Sequence, residues 1–312
     1  MNPYVNQFPF RGQRARTAES HRAGLAGLLA LMLLVPAVAL AAGPVEETRP
    51  LAADGQVVIE NAFGEIVILG WGREEVRIAG HLSDDVKELE IKESGSTLRI
   101  RVDYYDRRSI EGAQIEVMVP EGASVQAESV SGDIEAENLN GETLDLSTVS
   151  GDLDVAARVQ RLTLATVSGD MEFSGSAAVR VSVESVSGEI ELTGVSGEIE
   201  ASTVSGDVTV NGNDLRIGEF EAVSGDVELT VGLEDGGRIN VSSMSGDIDL
   251  YLPAGQEAEF FAQTFSGDID SAFGRVQDSR RGPGSRLEHQ EGNNGATINL
   301  NSFSGDVGIA KR

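Results

Sequence analysis

The chain has 312 residues, a formal net charge of −27, 5% aromatic residues and no cysteine. The lack of cysteine excludes disulfides, thiol redox chemistry, thiolate metal sites and a lipid-modified cysteine anchor. So acidic a surface excludes nucleic acid as a partner and direct adhesion to anionic lipid heads, and leaves cations, cationic peptides and basic protein faces.

Residues 1–42 read as a signal peptide. Arg11, Arg14, Arg16 and Arg22 form a basic start, Gly24 to Leu40 is an uncharged apolar run, and Ala39-Leu40-Ala41 offers a small-x-small cleavage site. Cleavage leaves an exported chain without a membrane span, addressed to the periplasm or the cell surface. An uncleaved N-terminal anchor is the rival reading, since a run of about 17 residues just reaches across a bilayer.

Residues 43–55 read as a polar linker. From 56 to 122 short alternating segments such as Val57-Val58-Ile59, Leu98-Arg99-Ile100-Arg101-Val102 and Ile115-Glu116-Val117 predict strands bounded by turn residues. Asn61-Ala62-Phe63-Gly64-Glu65-Ile66 looks like a degenerate copy of the repeat that follows.

Residues 123–312 carry that repeat. Ser-Gly followed by an acid occurs ten times, beginning at Ser131, Ser150, Ser168, Ser187, Ser196, Ser205, Ser224, Ser245, Ser266 and Ser304. A unit of about 19 residues accounts for every interval, with two half-steps around Ser196 and a double step before Ser304. A fixed period of this length signals a stacked architecture in which each unit buries its apolar face against its neighbours. The expected fold is all-β: a β-solenoid of 19-residue coils with an N-terminal β-rich capping portion.

Parity locates the bend. Leu144 and Leu146 share one strand face, as do Leu153 and Val155, but the separation between the pairs is odd. One straight strand cannot turn both pairs inward, because side chains alternate with period two. Ser-Gly is therefore the corner, with glycine supplying the unusual backbone conformation. Residues 275–295 interrupt the pattern and read as a loop inserted in one coil. Asn299 to Ile309 reads as the final rung, with Lys311 and Arg312 blunting its edge.

Eight triplets continue as acid, apolar, acid: Asp133/Glu135, Asp152/Asp154, Asp170/Glu172, Glu189/Glu191, Glu198/Glu200, Asp226/Glu228, Asp247/Asp249 and Asp268/Asp270. On a strand both acids point outward and the residue between them inward, so stacked coils are expected to carry two parallel carboxylate columns. Residues 123–270 contain 29 acids and five arginines, so most of this charge stays uncompensated. Apart from the Ser196 copy, these acids form the candidate interaction face. Two to four oxygens per gap fall short of the six to eight that Ca²⁺ prefers, so any calcium binding is expected to be weak. No cofactor and no dedicated metal site are expected.

His21, His81 and His289 show no metal-ligand spacing and no relation to a nucleophile. Ten copies of the repeated serine, with no base beside them, read as corner residues or a hydrogen-bonded ladder.

The repeats Val-Ser-Gly-Asp-Ile-Glu and Val-Ser-Gly-Asp-Val-Glu resemble the DUF4097 family of adhesin-like β-strand repeat proteins. So do the entry Ile59-Glu-Asn-Ala-Phe-Gly-Glu-Ile-Val-Ile-Leu-Gly-Trp71 and the segment Glu75-Val-Arg-Ile-Ala-Gly80 that follows it. The resemblance covers about residues 56–309. It implies a β-solenoid of the bacterial cell envelope without known catalysis, sometimes linked to envelope-stress systems, and it supplies no site residues. The expected function is an exported, non-enzymatic binding scaffold whose partner is a protein, a cationic peptide or another envelope component. The alternatives are a divalent-cation-binding structural protein and a β-helix enzyme acting on polysaccharide.

Overall fold

One coil shows how the chain is built. In the strand Leu153–Ser168, Leu153, Val155, Ala157 and Val159 are buried in alternation, then two consecutive exposed residues, Gln160 and Arg161, shift the parity. Leu162, Leu164 and Thr166 are buried in turn, and the chain leaves the core again at Val167-Ser168-Gly169-Asp170. Each coil therefore has two corners, the parity slip and the Ser-Gly-acid triplet, with an inward-facing strand segment on either side. The coordinates, a computed structural model, describe residues 43–105, 111–278, 284–293 and 295–312. The expected signal peptide lies outside the described residues.

Successive coils pair in parallel, in register: Ser150 with Ser168, Ser168 with Ser187, Ser187 with Ser205, Ser205 with Ser224, and Ser224 with Ser245. Residues 153–157, 171–177 and 190–195 form one ladder, and residues 161–168, 180–187 and 198–205 the other. Buried side chains of both ladders form one continuous core. Its members are mostly Val, Leu and Ile, and burying each fully contributes about 2 kcal/mol.

The N-terminal portion is the same solenoid with its end closed. Gln56–Phe63 pairs in parallel with Ser124–Ser131, aligning Phe63 with Ser131. Phe63-Gly64-Glu65 is thus a first corner, as its likeness to the repeat implied. Antiparallel strands then seal both ladders. Val86–Ser94 lies against Thr97–Tyr104 on one, and Gly43–Pro50 against Glu75–Leu82 on the other.

The strand Gly43–Pro50 corrects the expected linker at 43–55. Val45 is its one buried apolar residue, so it shows no apolar period, and its eight pairs with Glu75–Leu82 hold it in the sheet.

The C-terminal end corrects two further expectations. Within 275–295, expected as a loop, Ser285–Glu291 is a strand that runs antiparallel to Ala258–Ser266 and buries Leu287. The last rung is not terminal. Ala296–Ser304 pairs in parallel with residues 238–245 on one side and with Ala258–Ser266 on the other. The order in space is therefore Ser245, Ser304, Ser266. Among its described residues the 38-residue interval holds no further corner; it holds an outer strand and the return into an interior slot. Lys311 does not guard an edge either: its ammonium sits 3.7 Å from Glu291 and 4.3 Å from the ring centre of Phe273. Arg312 reaches back to the side-chain oxygen of Asn213 at 3.0 Å.

Candidate functional site

The Ser-Gly-acid corners stack into a strip along the solenoid. The nine Ser-Gly-acid glycines of the strip have positive φ, from +134° at Gly225 to +158° at Gly151, and Gly64 of the first corner has +94°. A Cβ on Gly169 would lie 2.0 Å from the carbonyl oxygen of Gly151. Conformation and close approach together therefore exclude any other residue. Each glycine N–H donates to the serine carbonyl of the next rung, as from Gly132 to Ser150 at 3.0 Å.

The first acid of each triplet has a structural task. Oδ1 of Asp133 accepts from the backbone N–H of Asp152 at 3.0 Å, Asp152 from Asp170 at 2.9 Å, and Asp170 from Glu189 at 2.8 Å. The series stops at Glu189, whose side chain is one methylene longer. It resumes with Asp207 to Asp226, Asp226 to Asp247, Asp247 to Asp306 and Asp306 to Asp268, all 2.7–2.8 Å. Asp207 and Asp306, outside the expected face, thus belong to this line. The first column is a ladder of side-chain acceptors for corner N–H groups, and its aspartates are exposed residues.

The second acids form a second line, open in that the corner N–H groups bond the first acids instead. The register runs Glu135, Asp154, Glu172, Glu191, then Thr209, then Glu228, Asp249, then Gly308, then Asp270. The expected column is real but interrupted twice. At Gly308 a Cβ would lie 2.1 Å from Oδ1 of Asp249, the movable end of a side chain, and 4.0 Å from the backbone oxygen of Ile248. Crowding shows in proton affinity. Burial, then the charges of Glu137 and Asp154, raise the pKa of Glu135, and burial, then Asp247 and Glu228, raise that of Asp249.

The Ser196 triplet does not join either line. Glu198 pairs in register with Arg180, half a coil from the other corners, and its carboxylate lies 2.7 Å from Arg216. Glu200 meets Arg180 at 3.1 Å. These acids are neutralised where those of the strip are not.

One column escaped the sequence reading. The apolar residue before each corner serine points outward: Val130, Val149, Val167, Val186, Val204 and Val223 are 45–49% exposed, Met244 60%, Phe303 58% and Phe265 50%. The registers that stack the serines stack these residues too, in that spatial order. The last two rings lie parallel, with centroids 5.1 Å apart and planes 6° from each other. Parity held the signal: Thr148 is buried before Val149 and Leu153 after it, which leaves Val149 outside.

Behind this ridge runs a file of buried hydroxyls. Thr148 donates to the carbonyl of Gly132 at 3.3 Å and Thr264 to that of Gly305 at 2.9 Å.

Among the described residues, no group of three or more His, Asp or Glu side chains is arranged to hold a metal ion. His289 lies in the outer C-terminal strand, 2.9 Å from Glu291, away from the acid lines. Among the described residues no helix is long and apolar enough to cross a membrane.

Three solved structures are similar across nearly their whole length. One, from Parabacteroides distasonis, is titled a "putative lipid binding protein"; it shares 12% identity at a TM-score of 0.43, covering 86% of this chain and 97% of that one. A "putative adhesin" from the same organism shares 13% at 0.40, covering 87% and 98%. Another "putative adhesin", from Bacteroides fragilis, shares 13% at 0.39, covering 86% and 97%. No curated protein matches. The family model described as Toastrack DUF4097 matches residues 56–236 and 233–310, and the chain belongs to that family.

Proposed function

We propose that this chain is exported and acts, without catalysis, as an adhesin-like binding scaffold of the cell envelope, its partner being a protein or peptide with a basic face. The observation that carries this reading is the second acid line. Glu135, Asp154, Glu172 and Glu191 stand on adjacent rungs. Rungs are about 4.8 Å apart, so the line presents a dense, fixed negative surface. A stacked core holds such a surface rigid, which lowers the ordering cost of binding. The scaffold reading also fits the family to which the chain belongs.

The test is binding of residues 43–312 to an immobilised oligolysine peptide across a salt series. Affinity is expected to fall steeply with salt. It should drop at least tenfold when Glu135, Asp154, Glu172 and Glu191 are changed to amides. Salt-independent binding, or no effect of the amides, overturns the assignment of this face. Export is checked separately, by fractionating cells that express the full chain; retention in the cytoplasm would overturn it.

A further inference from the structure

The exposed apolar ridge is the largest feature that packing leaves unexplained. Nine large apolar side chains, six valines from Val130 to Val223, then Met244, Phe303 and Phe265, stand about half exposed on adjacent rungs. Scattered single exposures are ordinary on protein surfaces, whereas a continuous exposed strip marks an interaction site. Eight intervals of about 4.8 Å make this strip about 38 Å long.

Acids border it on one side at every rung and on the other at three of the nine. Three residues past the ridge comes the aspartate ladder, whose aspartates are exposed residues. Two residues before the ridge, on the same outward face, stand the exposed Glu128, Glu184 and Glu221. A second copy of this chain would bring the same charges against each other, so the strip disfavours self-pairing.

Period selects the shape of the occupant. An extended strand laid along the ridge repeats its side chains every 6.8 Å or so, a mismatch of about 2 Å per rung. An α-helix repeats its apolar stripe every 5.4 Å, a mismatch of about 0.6 Å. About 26 helical residues would cover the length.

We propose that this ridge is the docking strip for a cationic amphipathic helix lying along the solenoid axis, its apolar stripe on the ridge and its flanking Lys or Arg residues on the bordering carboxylates. This deepens the scaffold function proposed above and rests on it for the sign of the partner's charge.

The experiment uses residues 43–312 and two synthetic 26-residue peptides of identical Leu/Lys composition. One is patterned with an apolar stripe at helical period, and the other is scrambled to destroy the stripe. Binding is measured by calorimetry, with circular dichroism of the peptide as a second readout. The patterned peptide is expected to gain helicity on binding and to bind at least tenfold more tightly than the scrambled one. Changing Val149, Val167, Val186 and Val204 to Ser should remove that preference while leaving oligolysine binding unchanged. These positions are exposed, so the variant should melt near the wild-type temperature; Val167→Ser alone, with a smaller loss of preference, serves if it does not.

Equal affinity for the two peptides, or an unchanged preference in the ridge variants, overturns the proposal. If oligolysine binding and its dependence on the second acid line persist in that case, the scaffold function stands without the ridge. Sedimentation showing wild-type dimers that the ridge variants abolish would overturn the proposal in favour of a second copy.

Discussion

Oδ1 of Asp226 accepts a hydrogen bond from the backbone N–H of Asp247 across 2.8 Å, tying one coil to the next outside the β-ladder. The bond sits where the chain leaves one ladder for the other, so that N–H has no strand partner. The aspartate of seven triplets is thus the acceptor that the turn requires, and its charge on the surface follows from that role.

Asp226→Ala should therefore destabilise the protein by about 1 kcal/mol, the typical net value of one hydrogen bond partly replaced by water. Asp226→Asn keeps an acceptor oxygen at the same reach and should cost less than half of that. Urea denaturation of both variants decides the matter. Equal losses would mean that the charge, and not the acceptor, is what the corner uses.

The corner glycines should fall into a different class from glycines in open turns. Gly188 has φ of +135°, and a Cβ there would meet the carbonyl oxygen of Gly169 at 2.0 Å. Gly236 also has positive φ, +75°, but nothing lies within 4 Å of a Cβ. Gly236→Ala should cost about 1–2 kcal/mol for conformation alone. Gly188→Ala adds a backbone collision and should cost about 1–3 kcal/mol more. Matching losses in the two variants would show that the coils can move apart at the corner.

Much of this architecture was legible because it follows from local periods. The odd separation of Leu146 from Leu153 located the bend, and Phe63-Gly64-Glu65 disclosed a corner that has lost its serine. What escaped depended on long-range pairing. Gly43–Pro50 carries one buried apolar residue and becomes a strand through its partner. The order Ser245, Ser304, Ser266 cannot be read from spacing, because any rung with the right face can stack on any other. The acid columns were visible as outward positions. Their division into a bonded ladder and an open line needed the reach of Asp133 to the N–H of the next coil.

The open line should oppose folding at neutral pH. Like charges on adjacent rungs repel by about 0.9 kcal/mol per pair in water, an upper figure once salt is present. Asp154→Asn with Glu172→Gln should raise the melting temperature at low salt, and the gain should shrink as salt rises. Proton affinity carries the same sign. Burial, with Glu137 and Asp154 adding, raises the pKa of Glu135 in the folded chain, and burial, with Asp247 and Glu228 adding, raises that of Asp249. A carboxyl whose folded pKa is raised costs stability when ionised, and that cost disappears as pH falls through the raised value. Asp249→Asn should therefore stabilise at pH 7 and become indistinguishable from wild type once both carboxyls are protonated. A gain that persisted at acid pH would point to packing instead of charge.

The interior place of the last rung gives the sharpest test of the topology. Leu300 is fully buried, and its register partners are Val241 on one side and Ala262 on the other. A leucine flanked by rungs on both sides leaves a cavity when truncated, and Leu300→Ala should cost about 2–5 kcal/mol. Leu164, flanked by Leu146 and Val183 in the middle of the array, is the internal standard and should lose a similar amount. Hydrogen exchange provides an independent check. Amides of Ala296–Ser304 should exchange as slowly as those of residues 238–245, and more slowly than those of the outer strand Ser285–Glu291. If the C-terminal strand instead exchanged first, and Leu300→Ala cost only a fraction of Leu164→Ala, the strand would lie at the end of the stack. Ala258–Ser266 would then pair directly with residues 238–245.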